Sequence, residues 1–390
     1  MWLLFIHILN SYRIDKKFDW KINMKNKVLL DNVIFDLQKI GGISNYWYNL
    51  LKESAGNDNI FYFEDKHLNK NYYRSLIELP DERTIKDRSK VPLKIKRYFS
   101  LRNIDKSYNV FHSSYYRYAK GNIKNVITVY DFMYEKYLNK YNFRRTVHSL
   151  QKYLAIKYSN YIIGISKNTL NDMLEYFPEF KNKKTQVIYL GINDDFYPIA
   201  KKNDFIITQD HKLYYNSYFF YFGNRRGYKN FGLLIKAYSN LLKNNKDIPA
   251  LVIAGGGDFD KEELKLLTEK EVLSNIIKLK EVDNNELNLL YNYCSGFIYP
   301  SLYEGFGMPV LEAMQACAPV ICSNSSSIPE VAGEAAIFIK PSNISSLEKA
   351  LLALLNDNTR KDLICLGYRQ AKKFSWDKTY RETLEIYNSL

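Results

Sequence analysis

Short apolar runs recur along the whole chain, and stretches with helical periodicity separate them. The runs are continuous in Val, Ile, Tyr and Phe rather than alternating with polar residues, which is typical of strands buried on both faces of a sheet. Strands that alternate with helices predict an α/β fold with mostly parallel sheets and right-handed crossovers. The predicted strands are 28–35, 109–112, 125–129, 161–165 and 186–190, then 218–222, 250–254, 276–279, 296–299 and 319–322; the clearest helices are 230–242, 260–269, 284–293 and 345–355.

The two series of strands predict two doubly wound, Rossmann-like domains. Few strand signals persist in the polar stretch 191–215, so the boundary is placed there, with a first domain over 24–200 and a second over 201–375. Ligands of such sheets bind outside the carboxyl ends of the strands, at the point where the strand order reverses. We therefore expect the chemistry in a cleft where the two domains face each other.

The first 23 residues are predicted to be an appended segment, with the first domain starting near Met24. The apolar run at 2–9 is too short to span a bilayer, has no basic region before it and no small-residue cleavage site after it. No stretch of the sequence predicts a transmembrane helix. Any membrane contact is therefore expected to be peripheral.

The basic excess is confined to the first half of the chain. The net charge is +14; residues 1–200 hold 33 Lys and Arg against 20 Asp and Glu, which leaves only +1 for residues 201–390. The excess is densest in the basic stretch 83–106, where nine basic residues (Arg83, Lys86, Arg88, Lys90, Lys94, Lys96, Arg97, Arg102 and Lys106) accompany only two acidic ones. Such a stretch suits an anionic membrane surface, a polyanionic substrate or a nucleic acid, or it is simply a solvated face.

The four cysteines predict reduced thiols in a cytoplasmic protein rather than a disulfide framework. Cys294, Cys317, Cys322 and Cys365 lie among apolar neighbours without a Cys-x-x-Cys pair, and the five histidines are dispersed. The sequence therefore predicts no metal site and no cofactor.

The strongest candidate site follows the strand 296–299. The loop Glu304-Gly305-Phe306-Gly307-Met308 leads into a helix that starts near Pro309 and contains Glu312. Its glycines allow backbone N–H groups to approach a ligand, and a helix N-terminus favours phosphate. Glu304 is placed to take sugar hydroxyls and Glu312 to hold a ribose diol; the alternative is two solvent-facing glutamates around a tight turn.

A second candidate follows the first strand of the second domain. The loop Gly223-Asn-Arg225-Arg226-Gly227-Tyr-Lys229 carries cations between glycines and precedes an amphipathic helix. Arg225 can hold a leaving diphosphate with two donors, and Lys229 adds a point charge. The alternative is a basic surface turn.

The first domain offers weaker candidates. Gly41-Gly42 opens a helix and can bring N–H groups to a phosphate, although an ordinary glycine turn explains it as well and no Gly-x-Gly-x-x-Gly fingerprint is present. His112 and Tyr130-Asp131 each end a predicted strand, where contacts to an acceptor or a sugar are expected. For His112 a structural role is an equal alternative.

Asp258-Phe259-Asp260 resembles a metal-binding Asp-x-Asp motif. It follows Gly255-Gly256-Gly257 at a junction between a loop and a helix, where aspartates commonly cap helices. Helix capping is the favoured interpretation.

Taken together, these residues resemble the retaining glycosyltransferases of family 4, which have the GT-B fold of two Rossmann-like domains facing across a cleft. Glu304 and Glu312 look like that family's paired glutamates, which contact the donor sugar and the nucleotide ribose, and Arg225 and Lys229 look like its diphosphate-binding pair. Gly41-Gly42 is similar to its first-domain phosphate loop. The end of the chain resembles the family's last helix, which implies that 376–390 crosses back to the first domain.

The sequence departs from the family pattern where relatives commonly have His-Asp and this chain has Tyr130-Asp131. The positioning role of that histidine is therefore lost, or the Tyr130 hydroxyl takes it over. Around His112 and Tyr130 the sequence is most similar to O-antigen and capsule transferases. This resemblance implies a lipid-linked or glycan acceptor at the cytoplasmic membrane.

The sequence as a whole predicts a metal-independent, retaining glycosyltransferase that moves a sugar from a nucleoside-diphosphate sugar, of the UDP or GDP type, to a hydroxyl of a growing surface glycan. Retention is implied by the resemblance alone. The alternatives are a non-catalytic module that binds a nucleotide sugar or a glycan, and a nucleotide-sugar 2-epimerase. A nucleic-acid partner is not expected, because the basic excess lies away from the best-formed site.

Overall fold

The computed structural model describes residues 24–390 apart from 66–70, 88, 90, 140, 201–202 and 246. At residues 93 and 94 it describes the backbone but not the side chains. The predicted N-terminal segment 1–23 lies outside the described residues. Contacts divide the described chain into two compact units. One unit is Ile192–Lys373, and the other consists of the described residues up to Gly191 together with Phe374–Leu390.

The unit that contains Phe374–Leu390 is built on seven parallel strands in the order β3-β2-β1-β4-β5-β6-β7. The strands are β1 (Val28–Asp31), β2 (Ile60–Asp65), β3 (Thr84–Asp87), β4 (Val110–Ser113), β5 (Lys124–Val129), β6 (Tyr161–Gly164) and β7 (Thr185–Val187). The helices are α1 (Ile34–Leu37), α2 (Gly42–Ser54), α3 (Tyr72–Ser75), α4 (Leu93–Lys96), α5 (Met133–Tyr137), α6 (Phe143–Tyr158), α7 (Lys167–Tyr176) and, at the end of the chain, Trp376–Asn388.

The unit Ile192–Lys373 contains six parallel strands in the order β12-β11-β10-β13-β14-β15 and an antiparallel hairpin. The hairpin is β8 (Phe205–Thr208) and β9 (His211–Tyr214); the sheet is β10 (Tyr218–Phe222), β11 (Ala250–Ala254), β12 (Ile276–Lys278), β13 (Gly296–Tyr299), β14 (Val320–Ser323) and β15 (Ile337–Ile339). The helices are α8 (Phe231–Asn244), α9 (Lys261–Glu269), α10 (Asn284–Tyr293), α11 (Met308–Gln315), α12 (Ile328–Ala332), α13 (Ile344–Ala353) and α14 (Asp357–Ala371), and the last helix, Trp376–Asn388, is α15.

Both sheets reverse their strand order between two central strands, β1 and β4 in one unit and β10 and β13 in the other. This is the doubly wound arrangement that places ligands at the carboxyl ends of the strands beside the reversal. The predicted parallel α/β architecture is confirmed. In the unit Ile192–Lys373, strand residues such as Phe219, Leu251 and Ile298 are fully buried under helices, because a sheet covered on both faces needs apolar side chains throughout.

Several predicted elements are wrong in detail. The run at 28–35 is a strand only as far as Asp31 and continues into the short helix Ile34–Leu37, and the stretch 191–215 contains the hairpin β8–β9. Strands β2, β3 and β15 were not predicted. β2 begins with the apolar run 60–63 but buries only every second residue and ends in Glu64-Asp65, and β3 is a polar edge strand.

Fewer cations of the basic stretch 83–106 are free to contact a partner than its composition predicts. Arg83 is buried and donates to the Ala55 carbonyl (2.6 Å), Lys86 pairs with Glu64 (2.7 Å), and Lys96 is buried between Asp65 and Asp87. Arg88 and Lys90 lie outside the described residues, as does the side chain of Lys94. Three of the nine cations therefore stabilise the edge of the sheet.

Candidate active site

The loop between β13 and helix α11 is held by the serines that follow β14. The Ser326 hydroxyl accepts a hydrogen bond from the Glu304 amide (2.9 Å), and the Ser327 hydroxyl reaches the carbonyls of Glu304 and Phe306, each at 2.9 Å. Ser327 is fully buried. The backbone around Glu304 is thereby fixed before any ligand arrives.

Helix α11 begins with a left-handed glycine and no capping side chain. Gly307 has φ of 106°, a conformation that favours glycine, and no side chain among the described residues accepts from the first turn of Met308–Gln315. Pro309 lies in that turn, as its sequence position predicts. The N-terminal amides and the positive end of the helix dipole form an arrangement that binds phosphate.

Two residues from separate motifs meet beside this loop. The Lys229 Nζ donates to Glu304 Oε1 (2.7 Å) and to the Tyr299 hydroxyl (3.0 Å), and both members of the ion pair are mostly buried. The Leu302 amide donates to the Tyr228 carbonyl (2.7 Å), which joins the two loops directly. The structure therefore brings the predicted Lys229 and Glu304 together at the carboxyl ends of β10 and β13.

Arg225 does not have the position that its predicted role requires. Its Nε and one terminal nitrogen donate to the carboxylate of Glu263 (2.9 and 3.1 Å), and its terminal nitrogens reach the carbonyls of Gly255 (2.6 Å) and Asp258 (2.9 Å). The side chain is buried. Because these donors are used within the protein, Arg225 holds the loop after β11 in place rather than presenting a free fork to a diphosphate.

Asp260 is a helix cap, and the capping interpretation is confirmed. Its carboxylate accepts from the Glu263 amide (2.9 Å), and the Glu263 carboxylate accepts from the Asp260 amide (2.8 Å), which completes a capping box at the start of Lys261–Glu269. Asp258 forms an ion pair with Lys278. Among the described residues, no group of three or more His, Cys, Asp or Glu is arranged to hold a metal ion.

Glu312 lies within α11 and is partly buried. Burial raises the pKa of its carboxyl group to about 7, the Asp195 charge adds to the increase, and the Tyr291 hydroxyl opposes it. The Tyr291 hydroxyl is buried and has no hydrogen bond of ordinary geometry to any described residue. A carboxyl group that titrates near neutrality beside a buried tyrosine hydroxyl is suited to exchange hydrogen bonds with a bound diol.

In the other unit, Gly41-Gly42 starts the helix Gly42–Ser54. Gly42 is exposed, no described side chain caps the first turn, and Gly41 is extended rather than left-handed (φ 171°). A Cβ atom at Gly41 would lie 2.7 Å from Gln38 Oε1, so the absence of a side chain leaves room at this point. The predicted phosphate contact at these glycines remains a prediction.

His112 is structural, which corrects its candidate role as a base or an acceptor contact. The residue is fully buried, its Nδ1 lies 2.6 Å from the Tyr387 hydroxyl, and its Nε2 lies 3.0 Å from Thr128 Oγ1. Burial lowers the pKa of the imidazole to about 3, so the ring is neutral at physiological pH. Nδ1 therefore ties the helix Trp376–Asn388 to the sheet, and Nε2 is occupied by the neighbouring strand β5.

Tyr130 is also buried, which corrects the idea that its hydroxyl replaces a positioning histidine. The hydroxyl donates to the Ser114 carbonyl (3.0 Å), and the ring packs edge-on against Tyr46. Asp131 is partly exposed, and its carboxylate accepts from the Met133 amide (3.1 Å). Of the three predicted contacts in this unit, Asp131 alone keeps an exposed side chain.

Comparison with known proteins places the second half of the chain in a family. The sequence model described as Glycosyl transferases group 1 matches residues 206–370. This region is a group 1 glycosyltransferase domain. It includes the loops that carry Lys229, Glu304 and Glu312.

Several curated relatives are named as O-antigen chain or serotype-specific mannosyltransferases. The chain is 29% identical to the O-antigen chain mannosyltransferase B of Escherichia coli over 59% of this chain and 60% of that one. It is 27% identical to the O-antigen chain mannosyltransferase RfbU of Salmonella typhimurium over 58% and 59% of the two chains. The match to the serotype-specific mannosyltransferase WbdA of Escherichia coli is 27% identical and covers 66% of this chain and 32% of that one. The chain thus spans less than two thirds of the curated relatives it matches.

Solved structures establish the fold around the group 1 domain. Sucrose-phosphate synthase from Thermosynechococcus elongatus has a TM-score of 0.67 at 17% identity, covering 93% of this chain and 98% of that one. Anabaena Alr3699/HepE in complex with UDP and glucose also has a TM-score of 0.67, at 14% identity and 94% and 100% coverage. The predicted GT-B fold is confirmed. The similarity to glycosyltransferases, which the motifs predicted, is confirmed over residues 206–370.

Sequence reasoning missed several residues that shape the site of the group 1 domain. Ser326 holds the loop, Tyr299 supports Lys229, and Tyr291 faces Glu312. Among these residues, only Tyr299 could have been found from the sequence, because it ends a predicted strand at the edge where ligands bind.

No helix in the described part of the chain is long and apolar enough to cross a membrane.

Proposed function

We propose that the protein is a retaining, metal-independent glycosyltransferase that transfers a sugar from a nucleoside-diphosphate sugar to a hydroxyl group of a growing surface glycan. The observation that carries the proposal is the Lys229–Glu304 pair beside the uncapped N-terminus of Met308–Gln315, with Glu312 on the same helix. The group 1 domain and its glycosyltransferase relatives support the class of reaction. Retention of configuration follows the family resemblance.

In the proposed reaction, the bond between the anomeric carbon and the diphosphate breaks, a bond from that carbon to the acceptor oxygen forms, and the acceptor hydroxyl gives its proton to the leaving diphosphate. Lys229 and the amides at Gly307 and Met308 stabilise the negative charge that develops on the leaving diphosphate. Fixed donors of this kind often supply the largest part of catalysis. Glu304 holds the sugar through its hydroxyl groups, and Glu312 holds the ribose. Arg225 acts as a positioning residue for the neighbouring loop.

The donor and acceptor classes follow the relatives. The mannosyltransferase names and the UDP complex of the Anabaena structure support a UDP- or GDP-linked hexose and a lipid-linked or glycan acceptor. The proposed place of action is the cytoplasmic face of the cytoplasmic membrane, in O-antigen, capsule or lipopolysaccharide synthesis.

Calorimetric titration with UDP, GDP and ADP tests the donor site without requiring the acceptor. We expect one of the three nucleotides to bind the wild-type protein, and Glu312→Gln to weaken that binding by about 10-fold or more, as expected for a hydrogen bond to a charged group. Glu334→Gln, an exposed glutamate of the same unit, is the matched control. Failure of all three nucleotides to bind would refute the proposed donor site.

The affinity for the nucleotide is expected to increase with pH through about 7. The pKa of Glu312 is about 7 in the free protein, and the ionised carboxylate is the better acceptor of ribose hydroxyl groups. Binding therefore shifts the group toward its ionised form and releases a proton, which calorimetry in buffers of different ionisation enthalpy measures. The nucleotide phosphate titrates near the same pH, so Glu312→Gln provides the reference. An identical pH profile in this variant would assign the dependence to the nucleotide alone.

The proposed membrane contact lies in the exposed part of the stretch 91–102. Ile95 and Phe99 are 53% and 63% exposed, and Arg102 is exposed beside them. Apolar side chains next to cations favour a surface of anionic lipid. We expect salt-sensitive sedimentation with phosphatidylglycerol vesicles that is weaker with phosphatidylcholine vesicles and in the double variant Ile95→Ser/Phe99→Ser. Ile207→Ser, an exposed isoleucine in β8, is the control. Equal sedimentation of all proteins would exclude this contact.

A further inference from the structure

A cavity of about 380 Å³ lies in the unit that contains β1–β7, outside the group 1 domain. Its walls include Gln38, Arg97, His148 and Gln151. In each of these residues, one buried polar atom has no hydrogen-bond partner among the described residues: Gln38 Oε1, Arg97 Nε, His148 Nδ1 and Gln151 Oε1. The described residues of both units contain eleven such atoms in all, so four of the eleven lie at this cavity. Buried polar atoms in native proteins are nearly always satisfied by protein, water or a ligand, so this concentration marks the cavity as a candidate site for a polar ligand.

The unsatisfied groups are held in place by their other contacts. Gln151 is 5% exposed, and its Nε2 donates to the Arg97 carbonyl (3.1 Å), which leaves its Oε1 unpaired. His148 Nε2 lies 2.7 Å from the Tyr115 hydroxyl, and the imidazole stacks on Tyr134 with ring centroids 4.4 Å apart. Burial and the nearby cations of Lys152 and Arg97 lower the pKa of His148 to about 3, so the ring is neutral. The cavity is therefore a preformed set of polar groups.

The chemistry of these groups selects the kind of ligand. Two amide oxygens require donors, the Arg97 Nε–H requires an acceptor, and a neutral imidazole nitrogen takes either role. A phosphate would satisfy only the donors and an ammonium group only the acceptors, whereas hydroxyl groups donate and accept. Tyr134 and Phe143 add aromatic surface, on which the apolar face of a sugar ring can pack. The volume lies near the lower end of the range for small-molecule sites.

The position of the cavity connects it with the proposed sugar-transfer reaction. Gln38 Oε1 lies 2.7 Å from the position that a Cβ atom at Gly41 would take, so a wall residue of the cavity adjoins one of the glycines predicted to contact a phosphate. On another side, Arg97 and Tyr98 directly precede Phe99, an exposed residue of the proposed membrane contact. We propose that this cavity binds one saccharide unit of the acceptor, an inference that rests on the proposed glycosyltransferase function.

Saturation-transfer NMR with the methyl glycosides of mannose, glucose, galactose and N-acetylglucosamine tests the proposal on the full chain. We expect at least one glycoside to bind, and Gln38→Leu and Phe143→Ala each to weaken it by about 10-fold or more. Gln38→Leu removes the amide while keeping a similar size, and Phe143 is 80% exposed, so neither change is expected to unfold the protein. Tyr141→Ala is the matched control, because Tyr141 is 82% exposed, lies two residues away and does not line the cavity.

Calorimetry with the nucleotide on the same variants separates this proposal from the donor site. Normal nucleotide binding with weakened glycoside binding in Gln38→Leu and Phe143→Ala supports the saccharide cavity. Normal nucleotide binding without binding of any glycoside up to its solubility limit, or with equal glycoside binding by all variants, overturns it while the proposed function stands. Glycoside binding that depends on these residues, in a protein that binds no nucleotide, would retain the cavity and remove the proposed transferase activity.

Discussion

Replacing Glu304 by glutamine is expected to lower the turnover number for sugar transfer by ~10²-fold or more, the cost of losing one well-placed group that acts in the transition state. Glu304 lies on a loop fixed by Ser326 and Ser327, and its carboxylate is paired with Lys229. The substitution keeps the size of the side chain but removes the charge that holds Lys229 and accepts sugar hydroxyls. Single-turnover transfer from the radiolabelled nucleotide sugar identified by titration measures the effect.

The same experiment distinguishes catalysis from binding. The proposed role predicts that Glu304→Gln loses turnover while its affinity for the nucleotide, which lacks the transferred sugar, changes much less. Glu334→Gln is expected to behave as the wild-type protein in both measurements, because this side chain is exposed. Transfer at the wild-type rate by Glu304→Gln would remove Glu304 from the mechanism.

The fold was largely predictable because its central strands are continuous apolar runs. β10, β11 and β13 were predicted at the residues where they occur, since a strand buried on both faces has no polar positions to obscure it. The strands toward the edges of the sheets were harder to predict from the sequence. Strand β2 ends in Glu64, whose charge is tolerated inside the protein because Arg74 and Lys86 contact it, and no local pattern in the sequence predicts that pairing.

The candidate site was predictable where neighbours in sequence define it, and less so where distant residues do. The glycine loop and the helix start at Met308–Gln315 follow from local sequence rules. The position of Arg225 depends on Glu263, and that of His112 on Tyr387, 275 residues away. Both residues have the right type for chemistry, but a buried partner elsewhere in the chain uses their polar atoms, and only the tertiary structure reveals that partner.

Lys229→Met is expected to weaken binding of the nucleoside diphosphate by about 10- to 100-fold, the range for losing a hydrogen bond from a charged group. The ammonium group pairs with Glu304, on the loop that leads into the uncapped N-terminus of Met308–Gln315, where phosphate is favoured, and its mostly buried position limits screening by solvent. Methionine keeps the length of the apolar stem while removing the charge.

The comparison of nucleoside diphosphate with nucleoside monophosphate makes this prediction specific. A cation that contacts the outer phosphate contributes to the affinity for the diphosphate and much less to that for the monophosphate, so Lys229→Met should reduce the preference for the diphosphate as well as the affinity itself. Lys236→Met, an exposed lysine in the helix Phe231–Asn244, is expected to retain both. If Lys229→Met kept the full preference, the lysine would serve only to neutralise Glu304. The double variant Lys229→Met/Glu304→Gln, which removes both charges, would then bind the diphosphate as tightly as the wild-type protein.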